Sequence, residues 1–157
     1  MTHATNQTST PRDRTLNEWT VADIMERHVQ TAHATTKADV VASFMIEGFG
    51  SVPIVDAGHR LMGVVSEHDL LRSLDRGQRW QDTSAEAIMS VNPYSVRPET
   101  RLGTLIHVMQ ASDLVRVPVV DAAGTLVGIV ARRDIIRAYV GGTERPAREP
   151  QEHDRRG

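Results

Sequence analysis

The chain of 157 residues contains no cysteine, which removes disulfides, thiolate nucleophiles and cysteine-ligated zinc from consideration. Long apolar runs are missing as well, and none approaches the ~20 residues that a membrane helix needs. The opening residues MTHATNQTSTPRDRT carry no apolar segment of the signal-peptide kind, so a cytoplasmic location is the expectation. An excess of positive charge is also absent: 18 Lys and Arg face 20 Asp and Glu, a net charge of −2. Residues 16–140, the expected folded part, carry 12 basic and 15 acidic side chains, so the tails hide no basic body. Nucleic-acid binding, which usually needs a basic face, is disfavoured. No GxSxG turn, Ser/His/Asp triad or phosphate-cradling glycine loop occurs, so no catalytic activity is expected. The seven histidines (3, 28, 33, 59, 68, 107 and 153) form no HxH or HxxxH pair, and no metal is expected. Glu67, His68 and Asp69 are consecutive, but neighbours on a helix diverge.

What is present is a soluble globular composition, 39% apolar with 11 Gly and 7 Pro, in a length suited to one domain or two small units sharing a core. The chain also repeats itself. PIVDAGHRLMGVVSEHDLLR (53–72) matches PVVDAAGTLVGIVARRDIIR (118–137) at a spacing of 65, with nine of twenty positions identical. Upstream the spacing is 64, pairing Thr20 with Ser84, Ile24 with Ile88, Met25 with Met89 and Thr36 with Thr100. One residue is therefore inserted in the second copy, around Ser112–Asp113.

Each copy reads in the same order. Thr20 and Ser84 are N-cap candidates for the short helices VADIM and AEAIM. A short strand is expected near Gln30–Ala32 and again near Tyr94–Arg97. An amphipathic helix follows, with Ala38, Val41, Ala42 and Met45 mirrored by Leu102, Leu105, Ile106 and Met109 on the buried face. Two strands then flank a turn, SVPIV and LMGVVS around DAGHR, RVPVV and LVGIVA around DAAGT. A last helix begins near Asp69 and Asp134, with Leu70, Leu71 and Leu74 matched by Ile135, Ile136 and Tyr139. The expected fold is mixed α/β (α+β), two pseudo-symmetric β-α-β-β-α units packed sheet to sheet. Residues 16–74 form the first unit and 84–140 the second. DRGQRWQDT (75–83) is the connection, and residues 1–15 and 141–157 are expected to be disordered tails.

The tandem PIVD…GVVSEHD and PVVD…GIVARRD, each preceded by a short helix ending in Ile-Met, resemble a pair of CBS domains over residues 18–140. The resemblance implies a regulatory module that binds an adenosine-containing ligand, AMP, ADP, ATP or S-adenosylmethionine, and needs no cofactor. It implies that the Asp opening the last helix holds ribose hydroxyls, and that a Ser or Thr three residues earlier contacts ribose or phosphate. The short strand and the residues before the proline of the other copy enclose the base. One implied site joins Ser66 and Asp69 to Ser95, Val96, Leu114, Val115 and Arg116. The other joins Arg132, Arg133 and Asp134 to Gln30, Thr31, Ala32, Phe49, Gly50 and Ser51. A homodimer is implied as well.

The residues support this chemistry and also rival it. A carboxylate can accept from both hydroxyls of a ribose diol, and arginine offers phosphate a planar fork, each charge-assisted bond contributing roughly 1.5–3 kcal/mol. Yet SEHD has capping-box spacing, so Asp69 also has a purely structural explanation. In the second copy Ala131 lacks the cap hydroxyl, and Arg132 and Arg133 oppose the helix dipole unless an anion or acid lies near them. Ala131 also departs from the family pattern, while Glu67 and His68 stand where the second copy has arginines, so unequal sites are expected. A scaffold with a vestigial site is the alternative function. Gly63 and Gly128 read as close packing within the sheet. Trp19 and Trp80 read as clamps on the linkers. Val40, Phe44 and Val108 widen the apolar helix faces toward a partner surface.

Overall fold

A computed structural model describes residues 18–141. Residues 1–15 and 142–157, expected as disordered tails, lie outside them, whereas Gly141 is the last residue of the final helix. The elements run α1 (Val21–Ile24), α2 (Ala38–Ile46), β1 (Ser51–Val55), β2 (Leu61–Ser66), α3 (Glu67–Asp75), a 3-10 turn (Trp80–Asp82), α4 (Ala85–Ile88), β3 (Ser90–Val91), α5 (Leu102–Ala111), β4 (Arg116–Val120), β5 (Leu126–Ala131) and α6 (Arg132–Gly141).

Each repeat is built on one antiparallel hairpin. β1 pairs with β2 from Ser51↔Ser66 to Val55↔Leu61, and β4 pairs with β5 from Arg116↔Ala131 to Val120↔Leu126. The first repeated aspartate is a turn device: Asp56 Oδ1 accepts from the N–H groups of Gly58 and Arg60, both at 2.9 Å. Asp121 Oδ1 does the same for Ala123 and Thr125 at 2.9 and 3.0 Å. The two hairpin ends then meet, because Leu61 N donates to Gly124 O and Leu126 N to His59 O, joining the sheets by an antiparallel bridge.

The residue inserted in the second copy is absorbed in a helix. α2 has 9 residues and α5 has 10, after which Asp113 (φ 52°) takes the left-handed position that Gly48 (φ 107°) takes in the first copy.

The strands expected at Gln30–Ala32 and Tyr94–Arg97 shrink to one parallel bridge each, Ala32↔Ile54 and Val96↔Val119. Two hydrogen bonds make each bridge: Ala32 N to Pro53 O and Val55 N to Ala32 O in one, Val96 N to Pro118 O and Val120 N to Val96 O in the other. The next donor in a parallel ladder would be the N–H of Pro53 or Pro118, which proline lacks, so neither bridge can lengthen in that direction. At the other end His33 Nδ1 lies 3.0 Å from Val55 O.

Thr20 and Ser84 are the N-caps of the short helices, as expected, but only Thr20 closes a box with its helix: Asp23 Oδ2 accepts from Thr20 N at 2.9 Å and from Thr20 Oγ1 at 3.3 Å, while Ser84 makes no side-chain cap. The first N–H groups of α1 donate to carbonyls of the other repeat, Val21 N to Thr100 O and Ala22 N to Pro98 O, both at 2.9 Å. In α4, Ala85 N donates to Thr36 O at 2.7 Å and Glu86 N to Ala34 O at 3.0 Å. Orphan donors at a helix start are thus satisfied by backbone across the repeat boundary.

That exchange runs through the whole fold. After α1, Glu26 bridges Ile129 of β5, and after α4, β3 pairs with β2 at Gly63↔Val91 and Val64↔Ser90. Gly63 and Gly128 allow these crossings. A Cβ at Gly63 would stand 2.7 Å from Met89 Sδ and 2.8 Å from Ser90 O, and one at Gly128 would stand 2.9 Å from both Glu26 O and Met25 Sδ. The cores are exchanged to match. Trp19, Val21, Ile24 and Met25 bury with Val96, Leu102, Leu105, Met109, Val117, Val119 and Val130. Ala85 and Ile88 bury with Ala32, Ala38, Val41, Ala42, Val52, Ile54, Val65 and Leu70. Trp19 is therefore a core residue, and Trp80 packs on the other cluster with its Nε1 donating to Ser73 Oγ at 2.8 Å.

The last helices bury less than their apolar pattern suggests. Leu70 faces the core, but Leu71, Leu74, Ile136 and Tyr139 are exposed.

Candidate functional site

β2 ends at Ser66 and β5 at Ala131, and each runs directly into a helix. The two junctions are corresponding points of the repeat with different chemistry. In the first, Ser66 and Asp69 close a full capping box. Asp69 Oδ2 accepts from Ser66 N at 2.8 Å and from Ser66 Oγ at 2.9 Å, while Asp69 N donates to Ser66 Oγ at 3.2 Å. Its Oδ1 receives Ser90 Oγ at 3.5 Å and lies 3.8 Å from Arg72 Nη2, and the side chain is only 3% exposed.

In the second junction the hydroxyl is missing, and half of the box remains. Asp134 Oδ2 accepts from Ala131 N at 2.8 Å. Its Oδ1 has the Arg137 guanidinium at 3.9 Å as its partner, in a side chain 15% exposed. Asp134 thus keeps acceptor capacity that Asp69 has spent. The two arginines ahead of it part company. Arg132 is tied to the loop before β4, with Nε donating to Leu114 O at 2.6 Å, Nη2 to Asp113 Oδ1 at 2.9 Å and its backbone N to Val115 O at 3.0 Å. Arg133 is exposed, with no hydrogen-bond or ion-pair partner among the described residues.

The remaining candidates fall into two groups. Around the seam, Gly50 and Ser51 open β1 while Leu114, Val115 and Arg116 lead into β4. The Arg116 side chain lies over Gly50, where a Cβ would collide with its guanidinium. Because Arg116 pairs with Ala131, this contact draws the start of β1 toward the second junction. Ser51 Oγ is buried there with no partner among the described residues. Phe49 is partly buried beside them, its N–H donating to Phe44 O at the end of α2. Leu114 packs on the core and Val115 is half-exposed.

The second group lies at the bridges. Ala32 and Val96 are buried in their bridges, and Gln30 Nε2 donates to the carbonyl of partly buried Thr31 at 3.0 Å. Ser95 lines an open cleft of about 270 Å³ with Leu61, Met62, Asn92, Pro93, Val120 and Gly124. That cleft sits where β2 begins, about 16 Å of strand away from Ser66 at ~3.3 Å per residue, and its lining contains neither Ser66 nor Asp69. Asn92–Pro93 is a turn signal that could have pointed to this wall. Asp113, which holds Arg132, carries no such local signal, being paired at 19 residues' separation.

Among the described residues no three His, Asp or Glu side chains converge as a metal would require, and no helix is long and apolar enough to cross a membrane.

The CBS domain model matches the chain twice, at residues 21–76 and 85–141. The chain belongs to the CBS-domain family. Among curated relatives, an uncharacterized protein of Methanopyrus kandleri is 31% identical over 119 residues, 74% of this chain and 61% of that protein. The chain thus spans about three fifths of that relative's length. Solved CBS pairs superpose closely. CBSX2 of Arabidopsis thaliana in complex with AMP matches with a TM-score of 0.71 at 29% identity, covering 78% of this chain and 96% of that one. The CBS domain pair of protein MJ0100 in complex with 5′-methylthioadenosine and S-adenosyl-L-methionine gives 0.71 at 27%, covering 78% and 97%. The chain is a tandem CBS pair whose structural neighbours include complexes with adenosine-containing ligands.

Proposed function

We propose that this CBS pair is a non-enzymatic regulatory module that binds an adenosine-containing ligand between its repeats, the second junction being the principal site. One observation carries the reading: the missing hydroxyl at Ala131 leaves the Asp134 carboxylate only half engaged, beside a seam where Ser51 Oγ is buried and unpartnered. Such a carboxylate can accept from both hydroxyls of a ribose. The AMP complex of CBSX2 and the S-adenosylmethionine complex of the MJ0100 pair support the ligand class. Ligand would act by favouring one of two states of the module, to the extent that it binds them differently.

The output is a surface on the last helices. Leu71 and Leu74 on α3 and Ile136 and Tyr139 on α6 are exposed at corresponding positions of the two repeats, with exposed Val140 beside the second pair. A second copy of the chain can cover both patches at once, giving a homodimer. Light scattering at tens of micromolar tests it, and a monomer mass with and without nucleotide refutes it.

Calorimetry with AMP, ADP, ATP and S-adenosylmethionine tests the ligand. Binding that Asp134→Ala abolishes is the expected result. The second reading, a CBS scaffold with a vestigial site, draws on the saturation of Asp69 and the pairing of Arg132 with Asp113. Absence of heat and of thermal shift with all four compounds would establish it.

A further inference from the structure

The last helices of the two repeats match in their exposed apolar residues and differ in charge. Leu71 and Leu74 on α3 correspond to Ile136 and Tyr139 on α6. Around them the signs are reversed. α3 carries Glu67, Asp69 and Asp75 against Arg72, three acidic side chains to one basic. α6 carries Arg132, Arg133 and Arg137 against Asp134, three basic to one acidic. Each helix closes one internal pair, Asp69 with Arg72 and Asp134 with Arg137, and Arg132 is held by Asp113. Glu67 and Asp75 on α3 and Arg133 on α6 remain, all exposed and without an ion-pair partner among the described residues. Arg76, the C-cap of α3, reduces the acidic excess without reversing it. α2, packed beside α3, adds Asp39, whereas α5 adds no Asp, Glu, Lys or Arg.

A second copy can cover both patches of this pseudo-symmetric chain in two ways. Like can meet like, α3 on α3 and α6 on α6, or the α3 of each copy can lie on the α6 of the other. Packed helices stand about 8–10 Å apart, close to the Debye length of about 8 Å at physiological ionic strength, so charges are felt across such a seam. Like on like would set two acidic helices together and two basic ones together, which is unfavourable; the crossed arrangement opposes the signs.

We propose that the second copy docks crosswise, the acidic α3 of each copy on the basic α6 of the other, with Leu71 and Leu74 against Ile136 and Tyr139. The orientation rests on the homodimer reading above. Because α3 starts at the first junction and α6 at the second, crossed pairing brings the second junction of each copy to the first repeat of the other. A ligand at Asp134 is then felt by the unlike repeat of the neighbouring copy.

The chain has no cysteine, so introduced thiols report alone. Leu71→Cys and Ile136→Cys each replace an exposed side chain. Both are treated with a short bismaleimide, singly and as an equal mixture left to exchange subunits. Crossed pairing should give a covalent dimer in the mixture and only background in either variant alone. A linked dimer in one variant alone, at a yield equal to the mixture's or above it, overturns the orientation. So does the absence of any link in a chain that light scattering shows to be dimeric. A monomer mass removes the homodimer reading and the orientation with it, so the two failures are told apart. Sedimentation of the wild-type chain tests the charge. Raising salt from about 0.01 M to about 1 M shortens the Debye length from about 30 Å to about 3 Å. The dissociation constant of the dimer should rise about threefold or more, the scale of a few exposed ion pairs. A constant that stays level or falls overturns the proposal.

Discussion

Asp69 and Asp134 are the same residue of the repeat, yet replacing them should have different consequences. Asp69→Ala deletes an acceptor that holds Ser66 N at 2.8 Å and Ser66 Oγ at 2.9 Å in a side chain 3% exposed. Loss of the Ser66 hydroxyl's acceptor costs about 1 kcal/mol, and a stranded, partly buried N–H adds about 1–3 kcal/mol. The sum is about 2–4 kcal/mol, a large fraction of the stability of a domain this size. Asp134→Ala strands one N–H, that of Ala131, for the same about 1–3 kcal/mol, and gives up a long, weak pair with a half-exposed Arg137, but it takes no partner from a hydroxyl. Urea unfolding followed by tryptophan fluorescence measures both. Trp19 sits in one core and Trp80 against the other, so each core has its own reporter. Asp69→Ala should lower the midpoint further than Asp134→Ala, by the equivalent of about 1 kcal/mol, while AMP binding is lost in Asp134→Ala. Equal losses, or a greater loss for Asp134→Ala, would refute the division of labour between the two junctions.

Other substitutions probe the same architecture. Ala131→Ser restores the missing cap hydroxyl. It should raise stability by about 0.5–1 kcal/mol in the same titration and weaken AMP binding by filling the acceptor capacity of Asp134. Gly128→Ala sets a methyl 2.9 Å from Glu26 O, which is backbone, and should cost about 1–3 kcal/mol in thermal unfolding; Gly63→Ala, 2.8 Å from Ser90 O, should behave alike. Met25→Ala should cost about 2–5 kcal/mol, with the blue-shifted emission of Trp19 lost first, because Met25 is 2% exposed in the core that holds Trp19. Leu71→Asp combined with Ile136→Asp should leave the fold intact by circular dichroism and yield a monomer by light scattering.

The repeat and its hairpins were legible because strand length, valine-rich composition and turn chemistry are local and occur twice in register. The stripe Val41, Ala42 and Leu102, Leu105 is buried as its spacing requires, and Gly63 and Gly128 do serve close packing. Pairing partners were less legible. VADIM buries the same apolar residues whichever core receives it, so the periodic pattern cannot say that α1 serves the second repeat. The cap positions Thr20 and Ser84 were legible, but not that carbonyls from 34, 36, 98 and 100 would take the first N–H groups of the helices. At the candidate site, Ala131 already marked the second junction as different. The seating of Arg116 on Gly50 and the capture of Arg132 by Asp113 depend on how distant loops meet, which no local spacing encodes.

The exchange of opening helices bears on what half of this chain could do. A fragment ending near Asp82 would keep β1, β2, α2 and α3 but lack the helix whose N–H groups occupy the carbonyls of Ala34 and Thr36. It would carry, unused, a helix built for that kind of vacancy. Two such fragments could lend each other these helices, and the two unlike halves of the split gene should reassemble on mixing more readily than either half persists alone. Covalent continuity through the linker then serves chiefly to raise the local concentration of two pieces that already interlock.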